Sequence, residues 1–234
     1  MQFKNIVIIV GNYGSGKTEV SISLAVKCKG EGVEVRVADL DLVNPYFRTR
    51  EARGQLSELG IEVVLPPDQY LHADLPILSP LVAGMIRNPG QLSILDVGGD
   101  DAGATVLATL SESFRGKDFQ MLQVVNPFRP FTQTLEGCAK IRDEIERAST
   151  LMVTGIIGNA NLIDHTAVED IYSGYEFVNR FADESGLPLE LITIPSGLES
   201  KIDIKRFSCP VLKIQRQLVP PWINAARLAM GNTG

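Results

Sequence analysis

The sequence has few cysteines, and those it has are far apart. Only three occur among 234 residues, namely Cys28, Cys138 and Cys209. Their spacing excludes a CxxC metal pair between sequence neighbours and offers no disulfide framework of the kind found in secreted domains. We therefore expect free thiols in a reducing, cytoplasmic environment.

Positive charge and long apolar runs are also scarce. The formal net charge is −6 at pH 7, which argues against a broad surface that neutralises the phosphates of DNA or RNA. The apolar run Ile6–Val10 is too short for the hydrophobic region of a signal peptide. No window approaches the roughly 18 apolar residues that span a bilayer. We expect no nucleic-acid and no membrane partner.

The pattern that is present is an alternation of apolar runs and amphipathic segments of helical length. It predicts a three-layer α/β fold with a mostly parallel central sheet of seven or eight strands, in one domain over residues 1–234. The predicted strands are 5–10, 33–38, 61–65, 92–97, 119–125, 151–157, 189–194 and 211–214. The predicted helices are 17–29, 49–59, 77–87, 102–113, 131–147, 166–185 and 218–230. Segment 66–75 shows no clear element and is a possible functional loop.

The first apolar strand runs into the residues GNYGSGKT, which fit GxxxxGK[ST] at every fixed position. In such a loop the backbone N–H groups surround phosphate oxygens, Lys17 adds a full charge, and Thr18 can ligate Mg²⁺. Lys17 is also a predicted catalytic residue. The predicted nucleotide-binding residues here are Gly11, Asn12, Tyr13, Gly14, Ser15, Gly16, Lys17, Thr18 and Glu19. The alternative is a glycine-rich turn with an exposed lysine.

Two acidic residues, Asp39 and Asp41, follow the second predicted strand. Ligands of open α/β sheets bind beyond the carboxyl ends of the strands, so both carboxylates can reach the phosphates. We predict that Asp41 positions or deprotonates the attacking nucleophile, and that Asp39 holds a Mg²⁺-bound water or supports the site. Either residue could instead cap the next helix.

A second acidic feature is the stretch LDVGGDD. Asp96 at its strand end is predicted to hold Mg²⁺ through the water shell of the ion, and Gly99 to donate its backbone N–H to a terminal phosphate until hydrolysis removes that contact. The alternative is a plain strand-to-helix turn capped by Asp100 or Asp101.

Asparagines follow two later strands, Asn126 in VVNPF and Asn159 with Asn161 in IIGNANL. An asparagine amide can pair with the N6 and N7 edge of adenine. The sequence contains no NKxD, the usual guanine reader, so ATP is favoured over GTP. The asparagines could also be simple turn residues.

In their order along the chain, the motifs GNYGSGKT, DLDLVNP, DVGG, NP, GNAN and IPSG resemble the MinD/ParA branch of the SIMIBI class of P-loop ATPases, which also holds CobQ-type domains. The string DLDLVNPYFRTRE is similar to a MinD-like subgroup. The resemblance implies a P-loop NTPase fold, ATP and Mg²⁺ as cofactors, and a possible homodimer. It also implies that Asp41 arranges the hydrolytic water, that Asn159 contacts adenine, and that Ile194 and Pro195 lie against the base.

The sequence departs from that family at several positions. Many members carry a lysine directly after the first glycine of the loop, which reaches into the site of the other subunit, whereas this chain has Asn12. The cysteines of the iron–sulfur members are missing. The predicted helix 218–230 has one basic residue, Arg227, unlike the lysine-rich membrane helix of MinD.

Three functions remain open. The first is an ATPase switch whose nucleotide state controls the binding of a protein partner of unknown identity. The second is a small-molecule kinase or ATP-dependent ligase, suggested by Arg48, Arg50 and Arg53, which could stabilise a transferring phosphoryl group or simply form a solvated helix face. The third is a module that binds ATP without cleaving it.

Overall fold

The computed structural model describes residues 3–41, 49–65, 80–99 and 101–216, apart from the side chains of residues 50, 51, 101 and 102. Several predictions lie outside these residues. They concern the loop 66–75, the helix 218–230, the start of the helix 77–87, Arg48, the side chain of Arg50, and the capping roles of Asp100 and Asp101.

Eight strands within the described residues form one sheet. They are β1 (Ile6–Val10), β2 (Val35–Leu40), β3 (Glu62–Val64), β4 (Leu92–Val97), β5 (Phe119–Val125), β6 (Gly155–Gly158), β7 (Leu189–Pro195) and β8 (Val211–Ile214). Their order is β3-β2-β4-β1-β5-β6-β7-β8, and every neighbouring pair is parallel. The predicted parallel sheet is therefore confirmed.

Helices connect the strands and cover both faces of the sheet. They are α1 (Lys17–Gly30), α2 (Arg53–Glu58), α3 (Pro80–Arg87), α4 (Asp101–Thr109), α5 (Ser111–Phe114), α6 (Leu135–Ser149) and α7 (Val168–Ser185). Short 3₁₀ segments occur at Thr49–Ala52, Ile163–His165, Ser196–Lys201 and Ile204–Arg206.

The burial pattern of β1 explains the three layers. Side chains alternate between the two faces of a strand, and both faces of β1 are covered. Val7 and Ile9 pack with the apolar residues of α1 and α2. Ile6 and Ile8 pack on the opposite face, with apolar residues of α3 to α7. A strand buried on both faces must be apolar throughout, which is why the run IVIIV shows no polar alternation.

The structure corrects the bounds of several predicted elements. The helix predicted over 102–113 is two helices, because the N–H of Leu110 bonds to the carbonyl of Leu107 in a tighter turn. The helix predicted over 131–147 begins only at Leu135. Phe131 has a φ of 70°, which no helix contains, and the hydroxyl of Thr134 caps the helix by accepting from the N–H of Gly137.

Two further predictions differ in their bounds. The strand predicted over 151–157 is confined to Gly155–Gly158. The N–H of Val153 bonds to the carboxylate of Glu146 at 2.8 Å, so the chain before the strand is held by a side chain of the preceding helix. The helix predicted over 49–59 starts as a 3₁₀ turn before it becomes α2.

The three cysteines are free thiols, as expected. Burial raises the pKa of Cys28 and of Cys209 to about 11 and that of Cys138 to about 12. These thiols therefore stay protonated near neutral pH. Among the helices of the described residues, none combines the length and apolar character required to cross a membrane.

The contact of α7 with the segment after β6 generates a test of the packing. A Cβ atom added to Gly174 in α7 would overlap with Cβ of Ala160. Alanine favours a helix over glycine by about 1 kcal/mol, but overpacking costs about 1–3 kcal/mol. We expect Gly174→Ala to lower the free energy of unfolding in urea denaturation.

Gly84→Ala is the matched control, because Gly84 lies in α3 and a Cβ there meets no atom within 4 Å. It should raise the free energy of unfolding by about 0.5–1 kcal/mol. Equal gains in both variants would contradict the packing of α7 described above.

Candidate nucleotide-binding site

The segment between β1 and α1 is a loop of close backbone contacts. Gly14 and Gly16 have φ values of 73° and 92°, a region that favours glycine. A Cβ atom added to Gly11 would lie 2.5 Å from the carbonyl oxygen of Val124, and one added to Gly16 would overlap with Nδ2 of Asn159. The glycines are therefore required both by conformation and by space, which a mere surface turn would not need.

Three polar residues of this loop, Ser15, Lys17 and Thr18, are buried. Lys17 is 6% exposed, and its Nζ donates to the carbonyl of Asn12 at 3.1 Å. Ser15 is fully buried, and its hydroxyl finds no hydrogen-bond partner in the described part of the chain. Since buried polar atoms are normally paired, this hydroxyl is a position that a ligand oxygen can satisfy.

Two carboxylates lie side by side next to the loop. Asp39 on β2 is the register partner of Asp96 on β4, and both are fully buried. Asp96 accepts hydrogen bonds from the hydroxyl of Thr49 at 2.8 Å and from that of Ser21 at 3.3 Å. Burial and the negative charge of Asp39 raise the pKa of Asp96 to about 7, although Thr49 and Lys17 oppose the rise.

The residues predicted to hold Mg²⁺, namely Thr18, Asp39 and Asp96, form one cluster, because the side chain of Thr18 also hydrogen-bonds to Asp96. Hydroxyl and carboxylate oxygens suit this ion, and a divalent cation would offset the repulsion between the two carboxylates. The described residues contain no group of three or more His, Cys, Asp or Glu side chains that could hold a metal by itself. Oxygens of a nucleotide and of water would have to complete the coordination.

Asp41 follows β2 and Gly99 lies just after β4, next to the same cluster. The backbone N–H of Asp41 donates to a carboxylate oxygen of Asp39 at 3.0 Å. A Cβ atom on Gly99 would lie 2.5 Å from Nζ of Lys17 and 2.8 Å from the backbone nitrogen of Tyr13. The turn after β4 is thus in direct contact with the glycine-rich loop 11–18, which we call the phosphate loop. The catalytic role of Asp41 and the phosphate contact of Gly99 stay predictions.

The asparagine after β6 is tied to the loop. Asn159 is 3% exposed, its Nδ2 donates to the carbonyl of Ser15 at 2.6 Å, and its Oδ1 accepts from the hydroxyl of Thr193. Its amide therefore joins the phosphate loop to β7. Pro195 is half-buried at the end of β7. The proposed base contacts of Asn159 and Pro195 stay predictions.

The other asparagine motif has a turn role. Nδ2 of Asn126 donates to the carbonyl of Asn161 at 2.9 Å, and Oδ1 accepts from the N–H of Phe128 at 3.1 Å. Both ends of this amide are used within the protein. The turn that it stabilises lies beside the phosphate loop, because Nδ2 of Asn12 donates to the carbonyl of Pro130 at 2.8 Å.

Sequence reasoning missed the hydroxyls of Ser21 and Thr49. Ser21 follows Lys17 by four residues on α1, so helical spacing could have placed it on the same face. Thr49 offered no such signal, because it reaches Asp96 across 47 residues. Arg53 lies elsewhere. It is exposed and lines a cavity of about 510 Å³ beside β3, with Arg36, Glu62 and Met85 among the other lining residues and none of the site residues above.

Comparison with known proteins agrees with this architecture. No protein-family model and no curated protein matches the chain. Among solved structures, the cell division protein FtsY of Thermotoga maritima matches with a TM-score of 0.57 and 21% identity over 81% of this chain and 61% of its own. The fold is that of the P-loop NTPases. The predicted fold class is confirmed.

Two further neighbours give the same result. The 54 kDa signal recognition particle protein of Aeropyrum pernix, in complex with GDP, matches with a TM-score of 0.54 and 20% identity over 82% of this chain and 41% of its own. The chloroplast FtsY of Physcomitrella patens matches with a TM-score of 0.53 and 21% identity over 82% of this chain and 59% of its own. The chain thus spans less than two thirds of the length of each of these structures.

The paired carboxylates generate a prediction about pH. A carboxyl whose pKa is higher in the folded than in the unfolded protein loses folding free energy as the pH rises between the two values, here from about 4 to about 7. Asp96→Asn removes that loss. Without Mg²⁺ or nucleotide, we expect the free energy of unfolding of the variant to rise relative to that of the natural protein as the pH increases from 5 to 8. The relative gain over this range should be on the order of 2 kcal/mol.

Urea denaturation of both proteins at each pH measures this difference. Added Mg²⁺ with nucleotide at pH 8 should reduce the difference in free energy of unfolding between the two proteins, because it should stabilise the natural protein more than the variant. If the two proteins differ in free energy of unfolding by the same amount at pH 5 and at pH 8, then burial and the charge of Asp39 do not raise the pKa of Asp96 as described.

Proposed function

We propose that the chain is a Mg²⁺-dependent ATP-binding protein that hydrolyses ATP and uses its nucleotide state to control a protein partner. The observation that carries this proposal is the contact between the turn after β4 and the phosphate loop, at Gly99 and Lys17. It joins the group that would hold the terminal phosphate to a turn that can change position when that phosphate leaves.

Binding is assigned to the loop 11–18. Its backbone N–H groups and the N-terminal end of α1 favour an anion, and Lys17 adds the charge of a buried side chain. Thr18, Asp39 and Asp96 would hold Mg²⁺, which neutralises charge on the phosphate oxygens when bound. Lys17 and the two carboxylates together make a site that is suited to a cation–phosphate complex.

Hydrolysis is assigned to Asp41. It is 5% exposed and follows directly after β2, where its backbone is fixed by the hydrogen bond to Asp39. A carboxylate in that position can orient a water molecule and accept its proton as the water attacks the terminal phosphate. The leaving group is ADP.

ATP is proposed over GTP on the sequence of the strand ends. The chain lacks NKxD, whereas both ends of the Asn159 amide are engaged by Ser15 and Thr193 and give no support for either base. Two solved structures with the same fold hold GDP, so the choice of base needs a direct test. Competition of ATP and GTP for a fluorescent ADP analogue provides it, with tighter ATP binding expected.

The residue assignments are tested by two substitutions. Lys17→Ala should weaken ATP binding by about 100-fold or more, because it removes a buried charge that would bind phosphate. Asp41→Ala should keep the dissociation constant within about threefold and slow turnover by about 100-fold. Titration calorimetry and phosphate release measure the two effects. Normal hydrolysis in both variants would refute the assignment.

A second set of measurements separates the three candidate functions. Single-turnover reactions with Mg²⁺ should yield ADP, and the absence of ADP over hours would favour a module that only binds. Phosphate release without a phosphorylated product, across a panel of metabolites, would argue against a kinase or ligase. For the switch, co-purification from native cells should retain a protein partner only with, or only without, a non-hydrolysable ATP analogue.

A further inference from the structure

The segment after β5 lies against the phosphate loop. Nδ2 of Asn12 donates to the carbonyl of Pro130 at 2.8 Å, and a Cβ atom on Gly14 would lie 3.9 Å from Cδ and Nε of Arg129. The side chain of Arg129 therefore lies next to Gly14 of the loop that would hold the phosphates. It comes from a different part of the chain than every residue predicted for phosphate binding.

The Nε–H of Arg129 also lacks a hydrogen-bond acceptor among the described residues. This nitrogen is buried, and the side chain of Arg129 is half-buried. A buried guanidinium N–H without an acceptor is costly. Several other arginines of the described residues do bond to carbonyl or carboxylate groups, namely Arg36, Arg115, Arg142, Arg180 and Arg216.

The turn that carries Arg129 is fixed before any ligand arrives. The carbonyl of Asn126 accepts from the N–H of Arg129 at 3.2 Å and from the hydroxyl of Thr132 at 2.7 Å. Oδ1 of Asn12 accepts from the N–H of Tyr13 at 2.8 Å, which orients the amide within its own loop, while Nδ2 joins that loop to the turn at Pro130. A residue held in this way loses little entropy on binding a ligand.

We propose that Arg129 binds the phosphates of the nucleotide held by the phosphate loop of the same chain, and that Asn12 positions it. The inference rests on the proposed nucleotide-binding function. A guanidinium presents several donors in a plane that matches phosphate oxygens. Binding of a phosphate satisfies the buried Nε–H and adds a second charge beside Lys17.

The first test compares Arg129→Ala with the natural protein by titration calorimetry. Loss of a charge-assisted hydrogen bond should weaken ATP binding by about 10- to 100-fold. Binding of adenosine, which has no phosphate, should change by less than about twofold. Arg129→Lys should recover part of the affinity, because it restores the charge without the planar donors.

Arg142→Ala is the matched control. Arg142 lies on α6 and pairs with its neighbour Asp143, so the substitution removes the same charge away from the loop. It should leave ATP affinity unchanged. Thermal unfolding of each variant checks that the fold is retained, so that a loss of affinity reports on the contact alone.

The second test concerns Asn12. Asn12→Ala should weaken ATP binding by about three- to tenfold by releasing the turn at Pro130. If Asn12 acts through Arg129, the double variant should bind no more weakly than Arg129→Ala alone. Additive losses would overturn the positioning role of Asn12.

Lys17→Ala distinguishes a failure of the proposed nucleotide-binding function from a failure of the inference about Arg129. If it abolishes binding while Arg129→Ala keeps the natural affinity, the nucleotide site stands and the role of Arg129 is refuted. If adenosine and ATP lose affinity equally in Arg129→Ala, the residue supports the fold and does not contact phosphate, which also refutes the inference. If Lys17→Ala binds ATP normally, the proposed function itself is wrong.

Discussion

The burial of Asp39 and Asp96 side by side is the constraint on which the rest of the candidate site depends. The two carboxylates are register partners on neighbouring strands, fully buried, and the pKa of Asp96 is raised to about 7 as a result. Burying two like charges is unfavourable unless cations and donors surround them. Lys17 and the hydroxyls of Thr18 and Thr49 supply part of that compensation. The folded protein thus carries an electrostatic cost that a metal–nucleotide complex would relieve under the proposed function, which would link stability to binding.

Close backbone contacts give this electrostatic cluster its shape. Gly16 touches the amide of Asn159, and Gly99 touches Nζ of Lys17 and the backbone of Tyr13. Packed contacts of this kind tend to have discrete arrangements and to resist gradual deformation. Under the proposed function, a change at the phosphate loop would reach the turn after β4 and the end of β6 through backbone and short side chains. A partner protein would then detect the bound nucleotide at these two places.

The sequence was sufficient for the fold class, because the fold class depends on local patterns, whereas the roles of the phosphate-loop residues stay predictions. GNYGSGKT follows an apolar strand and opens a helix, and the eight apolar runs became eight strands. The pairing of Asp39 with Asp96 could not be predicted, since it depends on β2 and β4 being neighbours. The contacts of Asn159 with Ser15 and of Asn12 with Pro130 join residues 144 and 118 positions apart. No periodicity carries information on such distant contacts. The helix bounds at Phe131 and Leu110 were predicted wrongly for a different reason, because local turns interrupt the apolar pattern there.

The central position of β1 has a consequence for biosynthesis. β1 pairs with β4 and β5, and the latter ends at Val125. At about 5–20 residues per second, a ribosome needs on the order of ten seconds to make the chain between β1 and the end of β5. Until β4 has been made the run IVIIV has neither neighbour, and until the end of the interval it lacks β5. Non-local parallel pairing is also slow to form. The nascent chain thus exposes an apolar segment for that time, and the loop after β1 gains its neighbours on both sides only after the first half of the chain has been made.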